Sequence, residues 1–121
     1  MLIKNKGLHI IADFYDCDFS ALKNMSKNDL EHWLNDVVKK SGFEVLGVIL
    51  HYFNIPTSFT ALICIAESHI SIHTWPEIGY VSIDVFVCNF KRSYDNEAKN
   101  IYSELSNFFS PQKIVEQTII R

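Results

Sequence analysis

Residues Ala66 to Asn89 read AESHISIHTWPEIGYVSIDVFVCN. From His69 to Trp75, alternation places His69, Ser71, His73 and Trp75 on one face and Ile70, Ile72 and Thr74 on the other. From Tyr80 to Cys88, Val81, Ile83, Val85 and Val87 make an aliphatic face, and Ser82, Asp84, Phe86 and Cys88 share the opposite one. Pro76 to Gly79 supplies the turn between the two strands. A simple hairpin across that turn pairs Trp75 with Tyr80 and brings Cys88 opposite Glu67. The pattern predicts an antiparallel pair with one face on a core and the other polar and rich in nucleophiles. Alternation by itself is also what a plain half-solvated pair shows.

Outward from this hairpin, Thr60 to Ala66 reads as a strand, Asn54 to Ser58 as a Pro-containing loop, and Phe43 to Phe53 as a strand rich in Val, Ile and aromatics. Upstream, Ser26 is a good N-cap, with Asp29 forming a weak capping box. Leu30, Trp33, Leu34, Val37 and Val38 follow on one helical face, and Gly42 comes after the last turn. Gly7 to Tyr15 alternates as a first strand. Downstream, Ser93 opens a second helix with a stripe of Ala98, Ile101, Tyr102, Leu105, Phe108 and Phe109; Pro111 stops it and Lys113 to Ile120 is a last strand. The order β-α-β-β-β-β-α-β, with short connections, predicts an α+β two-layer sandwich: a mainly antiparallel sheet with both helices on one face. The other sheet face carries Trp, Tyr and His, too apolar to stay wet, and a symmetric partner is the simplest second layer.

The chain has 121 residues, which fits a single domain over 1–121. Hydrophobic residues make up 48%, enough for a core, and the longest apolar run, near Phe59 to Ala66, is too short to cross a bilayer. The net charge is −3 with Lys and Arg scattered, which gives nucleic acid or anionic membranes no electrostatic support. Three cysteines, Cys17, Cys64 and Cys88, lack metal-ligand spacing, and the N-terminal stretch has no signal-peptide pattern; both point to a cytoplasmic location with reduced thiols. His51, His69 and His73 with Asp84 can be drawn as metal ligands, but His69 and His73 on one strand lie about 13 Å apart, too far to share one zinc, so no metal site is expected.

The Ala66 to Asn89 segment resembles the signature of the prokaryotic S-adenosylmethionine decarboxylase family, whose members carry ESH, IHTWPE, GY, ID and a following Cys in this order. The resemblance extends more weakly to GLHIIADFYDCD, residues 7–18, and to the general layout of nearly the whole chain. It implies a proenzyme cleaved between Glu67 and Ser68 into 1–67 and 68–121. The Ser68 hydroxyl attacks the preceding carbonyl, β-elimination from the resulting ester gives dehydroalanine, and hydrolysis leaves a pyruvoyl group as cofactor. That ketone forms an imine (a Schiff base) with the amine of a small amino-acid-type substrate and draws electrons as carbon dioxide leaves. By resemblance His73 is the processing base and Cys88 the proton donor. Read from residue type alone, His73 is a half-buried sheet residue and Cys88 a small buried hydrophobe.

Upstream of the motif the family usually has F-x-P-x-GVSG, where this chain has Phe53-Asn54-Ile55-Pro56-Thr57-Ser58-Phe59-Thr60-Ala61, one residue longer and without Gly. Phe53 matches the aromatic that stacks on the substrate adenine. Thr60, or alternatively Ser58, stands for the family's second processing serine. Leu8, Val87 and Asn89 replace a usual Arg, Thr and Gly. The departures gather where substrate is selected. The leading expectation is decarboxylation of S-adenosylmethionine for spermidine and polyamine biosynthesis; the alternatives are L-ornithine or L-arginine, and a non-catalytic homologue that stabilises a paralogue. The partner expected is a second copy, a homodimer with its sites at the interface. On a straight strand His73 lies about 16 Å from Ser68, so a turn near Ser68, implied by the resemblance, is needed to join them.

Overall fold

The computed structural model describes residues 6–121. The chain runs through β1 (Gly7–Tyr15), α1 (Lys27–Lys40), β2 (Val45–Tyr52), β3 (Phe59–Ile65), β4 (Ser68–Trp75), β5 (Tyr80–Cys88), α2 (Asp95–Phe109) and β6 (Lys113–Ile120), with short 3-10 turns at Ser20–Leu22 and Pro76–Ile78. The strands form one six-stranded sheet in the order β2-β3-β4-β5-β1-β6. Every neighbouring pair is antiparallel. The expected α+β order and antiparallel sheet are both found, with Trp75 opposite Tyr80 in the β4–β5 hairpin.

Alternation decides which side of the sheet is covered. Leu8, Ile10, Ala12 and Phe14 of β1, Ala61 and Ile63 of β3, Ile70 and Ile72 of β4, and Val81 to Val87 at every second position of β5 are all buried. They share one core with Leu30, Leu34 and Val38 of α1 and with Ala98, Ile101 and Leu105 of α2. Both helices therefore lie on this face, and burying their apolar stripes is what holds them there. Ser26 caps α1 with the full reciprocal box: its Oγ accepts from the Asp29 N–H, and the Asp29 carboxylate accepts from the Ser26 N–H.

Three local readings are corrected. α2 starts at Asp95, with Tyr94 as N-cap, rather than at Ser93. Asn89 prepares that start: its Oδ1 accepts from the Tyr94 N–H at 2.9 Å and its Nδ2 donates to Asp95 at 2.8 Å. A side chain that makes both bonds is what replaces the family's Gly. β2 begins at Val45, not Phe43; a bulge between Val45 and Gly47 shifts its register, while Phe43 turns into the core. β3 starts one residue early, at Phe59, because Thr74 ties the preceding loop to β4. Its hydroxyl donates to the Thr57 carbonyl at 2.9 Å and accepts from the Phe59 N–H at 2.9 Å. Leu8, where the family has Arg, points into the core.

Candidate active site

The open face of the sheet reads as rows across the strands. One row runs Thr60, His73, Ser82, Asp13, the next Leu62, Ser71, Asp84, Ile11, and the third Cys64, His69, Phe86, His9. In the middle row the Ser71 hydroxyl donates to Asp84 at 3.1 Å, and His9 Nε2 lies 3.5 Å from the other Asp84 oxygen.

Beyond the third row lies the Glu67–Ser68 peptide, where the resemblance implies cleavage. Ala66 and Glu67 make the two-residue turn between β3 and β4. Such turns ordinarily need φ > 0 at their central residues to match the twist of the strands. Here the positive φ falls on the residue after them: Ser68 has φ 152°, a conformation that only Gly adopts without strain. The peptide on the N-terminal side of Ser68 is held firmly. The Glu67 carbonyl accepts from the Cys88 N–H at 2.8 Å, as the hairpin register requires. The Ala66 N–H donates to the Glu44 carbonyl at 2.9 Å, and the Glu67 carboxylate accepts from the Glu44 N–H at 3.3 Å. Glu44, Ala66, Glu67, Cys88, Lys91 and Tyr94 line a cleft of about 320 Å³ beside it. The Ser68 hydroxyl points to His69 Nδ1, 3.4 Å away.

The other end of the face holds Phe53, Thr60 and His73. Thr60 Oγ1 and His73 Nδ1 are hydrogen-bonded at 3.1 Å. Phe53 is half exposed, edge-on to His51 at 4.7 Å. Trp75 stacks on Tyr80 at 5.1 Å, and the Tyr80 hydroxyl donates to Asp13 at 2.5 Å. Burial, then that bond and the Asp13 charge, push the Tyr80 phenol up to about 12, so it remains a donor at neutral pH.

The family model for S-adenosylmethionine decarboxylase matches residues 8–121, nearly the whole chain and both ends of this face. The chain belongs to the S-adenosylmethionine decarboxylase family. An S-adenosylmethionine decarboxylase proenzyme of a Sulfurihydrogenibium species is 38% identical over 117 residues, 97% of this chain and 86% of that one. One from Clostridium kluyveri is 44% identical over 82 residues, 68% of this chain and 63% of that one. The crystal structure of the adenosylmethionine decarboxylase from Aquifex aeolicus VF5 superposes with a TM-score of 0.80 at 32% identity, covering 98% of this chain and 92% of that one. The family is one of carboxy-lyases.

Within this decarboxylase family fold, the six residues singled out by sequence fall into two groups. Glu67, Ser68 and Cys88 meet at one end of the sheet; Phe53, Thr60 and His73 gather at the other. No turn separates Ser68 from His73, because both lie on the continuous strand β4. Along one chain they stay about 16 Å apart, and the expected turn that would join them is not there. The reason is the ladder: Ser68 to Trp75 is hydrogen-bonded to β5 throughout, so bending it would forfeit backbone pairing.

Two contacts at the Glu67–Ser68 peptide lie outside what sequence reasoning assigns. Alternation puts His69 on the open face without assigning it a role, and only the structure brings its ring to the Ser68 hydroxyl. The Cys88 backbone N–H has no side-chain signature, although the hairpin register already set Cys88 opposite Glu67. The remaining thiols are of other kinds: Cys64 is exposed, and Cys17 is pushed up to about 11 by burial, with the Asp16 charge adding. Among the described residues no group of three His, Cys, Asp or Glu side chains gathers to hold a metal, and no helix is long and apolar enough to cross a membrane.

Proposed function

We propose that the chain is the proenzyme of a pyruvoyl-dependent decarboxylase that cuts itself between Glu67 and Ser68 and then acts on S-adenosylmethionine, in the cytoplasm, for polyamine biosynthesis. The observation that carries this reading is the state of the Glu67–Ser68 peptide. Its carbonyl is fixed by the Cys88 N–H at 2.8 Å, and its Ser68 side is strained at φ 152°. Attack by the Ser68 hydroxyl moves charge onto the Glu67 oxygen, where a positioned backbone donor stabilises it. Conversion of the strained amide to an ester removes the constraint on Ser68. These features fit Ser68 as the precursor of the pyruvoyl group. Once made, that group supplies an electron sink for the bond electrons released as carbon dioxide departs. The Cys88 side chain lines the cleft beside the junction, which supports it as the donor of a proton to carbon.

His73 and Thr60 complete the site from a second copy. The open face carries exposed Ile49, Leu62 and Trp75, at 70%, 46% and 39% of their full area. A two-fold axis running across the strands at the level of Ser71 and Asp84 exchanges the rows on either side. It sets the row of the partner's His73 over the row of His69, next to Ser68. The separation along β4 favours this shared arrangement over a site within one chain.

L-Ornithine or L-arginine as substrate is the second reading. It is favoured by the loop between β2 and β3, which lacks Gly and carries Thr57 at φ 64°, and by Asp13 and Asp84 on the open face, which suit a distal cation. One experiment separates these readings. The purified chain, followed by intact mass, is expected to resolve into residues 1–67 and a fragment from position 68 with a blocked terminus. It is then offered S-adenosylmethionine, L-ornithine and L-arginine, each labelled at the carboxyl carbon. Carbon dioxide from S-adenosylmethionine alone supports the lead, and release from ornithine or arginine alone overturns the substrate. A chain that stays whole through long incubation overturns the proenzyme reading and leaves the non-catalytic homologue.

A further inference from the structure

The step that opens the Glu67–Ser68 peptide needs a base for the Ser68 hydroxyl, and the residue that the family resemblance assigns to processing, His73, is far along the strand in the same chain and bonded to Thr60. The side chain in contact with the hydroxyl is the next residue: Ser68 Oγ and His69 Nδ1 lie 3.4 Å apart. We propose that His69, in the same chain, takes the Ser68 proton in the first step of self-cleavage. The inference rests on the self-cleavage reading above.

Local structure prepares His69 for this. Alternation along β4 sends its ring to the open face, away from the aliphatic core. There it packs against Phe86 with ring centroids 5.6 Å apart. Phe86 is itself fixed by His9 at 5.4 Å and by the Arg121 guanidinium 4.7 Å over its ring. The positive φ at Ser68 turns the residue before a regular strand, which brings the hydroxyl of one residue to the ring of its neighbour. Consecutive residues of an undistorted strand point to opposite faces and do not meet in this way.

The chemistry balances within the chain. With neutral His69 carrying its proton on Nε2, Nδ1 accepts the Ser68 Oγ proton as Oγ bonds to the Glu67 carbonyl carbon. The carbonyl π electrons move to oxygen, which the Cys88 N–H holds. On collapse the bond from that carbon to the Ser68 nitrogen breaks, and the proton on His69 passes to the departing nitrogen. An amide becomes an ester and a free amine, with nothing added or lost. A contact of 3.4 Å in the resting chain is in keeping with catalytic hydrogen bonds that tighten only as the reaction proceeds. His73 is left for the later removal of the Ser68 α-proton.

Hydroxylamine tells the two steps apart, because it cuts esters readily and leaves ordinary peptide bonds. His69→Asn keeps a polar atom near the Nδ1 position without a basic nitrogen, and His69→Ala removes both; the ring is exposed, so each variant is compared with the wild type at matched melting temperature. Self-cleavage is expected to slow by roughly 100-fold or more in both. Added hydroxylamine is expected to release no residue 1–67 fragment beyond that slow rate, since the ester itself does not form. Cleavage of either variant near the wild-type rate overturns the proposal. So does a variant that stays whole in buffer but is cut by hydroxylamine, since the ester then forms without His69. A wild-type chain that never cleaves is a different result, and it removes the self-cleavage reading instead.

Discussion

Cys88 serves the site in two ways that belong to different atoms. Its backbone N–H holds the Glu67 carbonyl, a contact set by the β4–β5 register and independent of the side chain. Its thiol is the proton donor of the proposed turnover. Cys88→Ala keeps the first and deletes the second. The variant is therefore expected to cut itself at a rate near that of the wild type, while release of carbon dioxide falls by roughly 100-fold or more. Gel electrophoresis and a labelled-carboxyl assay on the same sample check both halves. Equal loss of cleavage and turnover would show that the thiol is needed before the pyruvoyl group exists.

The loop between β2 and β3 is where this chain departs most from its family, and one hydroxyl organises it. Thr74 is buried on the helix-facing side of β4, yet bonds Thr57 and Phe59 across the loop. Thr74→Val retains shape and leaves a buried N–H without its partner, with a cost of about 1–3 kcal/mol. For a domain of this size that lowers Tm by roughly 5–10 °C, measurable by calorimetry. Cleavage should survive, because the Glu67–Ser68 junction lies at the other end of β4. A Tm within a degree of the wild type would mean that the loop is held by something other than this threonine.

The division of the proposed site between the two ends of one sheet belongs to the scale of the molecule. Pairing Ser68→Ala chains with His73→Ala chains tests it, each carrying its own tag and expressed together. Neither variant is expected to cut itself alone. In the mixed dimer the His73→Ala chain retains Ser68 and receives the partner's His73, so it alone should be cut. Restored cleavage confined to that chain supports the shared site; none in a verified mixed dimer places His73 and Ser68 in one chain after all. Leu62→Lys, at the middle row of the open face, should leave a monomer by sedimentation and stop cleavage with it.

The sequence by itself determined the antiparallel hairpin, the helix pair on one face and the family, because each rests on local periodicity or a short contiguous motif. Trp75 meets Tyr80 as the turn at Pro76 requires, and the aliphatic halves of β4 and β5 are buried as alternation demands. Element limits moved where side chains bridged segments: Asn89 set the start of α2 and Thr74 that of β3. Neither contact has a local signature. Only the tertiary structure decided which of the candidate residues meet. The hydrogen-bonded ladder keeps β4 straight, so Ser68 and His73 stay apart although only four residues lie between them. The turn at Ala66 and Glu67 passes its positive φ to Ser68 and brings that hydroxyl to His69. Proximity along a chain is a matter of sequence, but contact across it depends on how the backbone pairs.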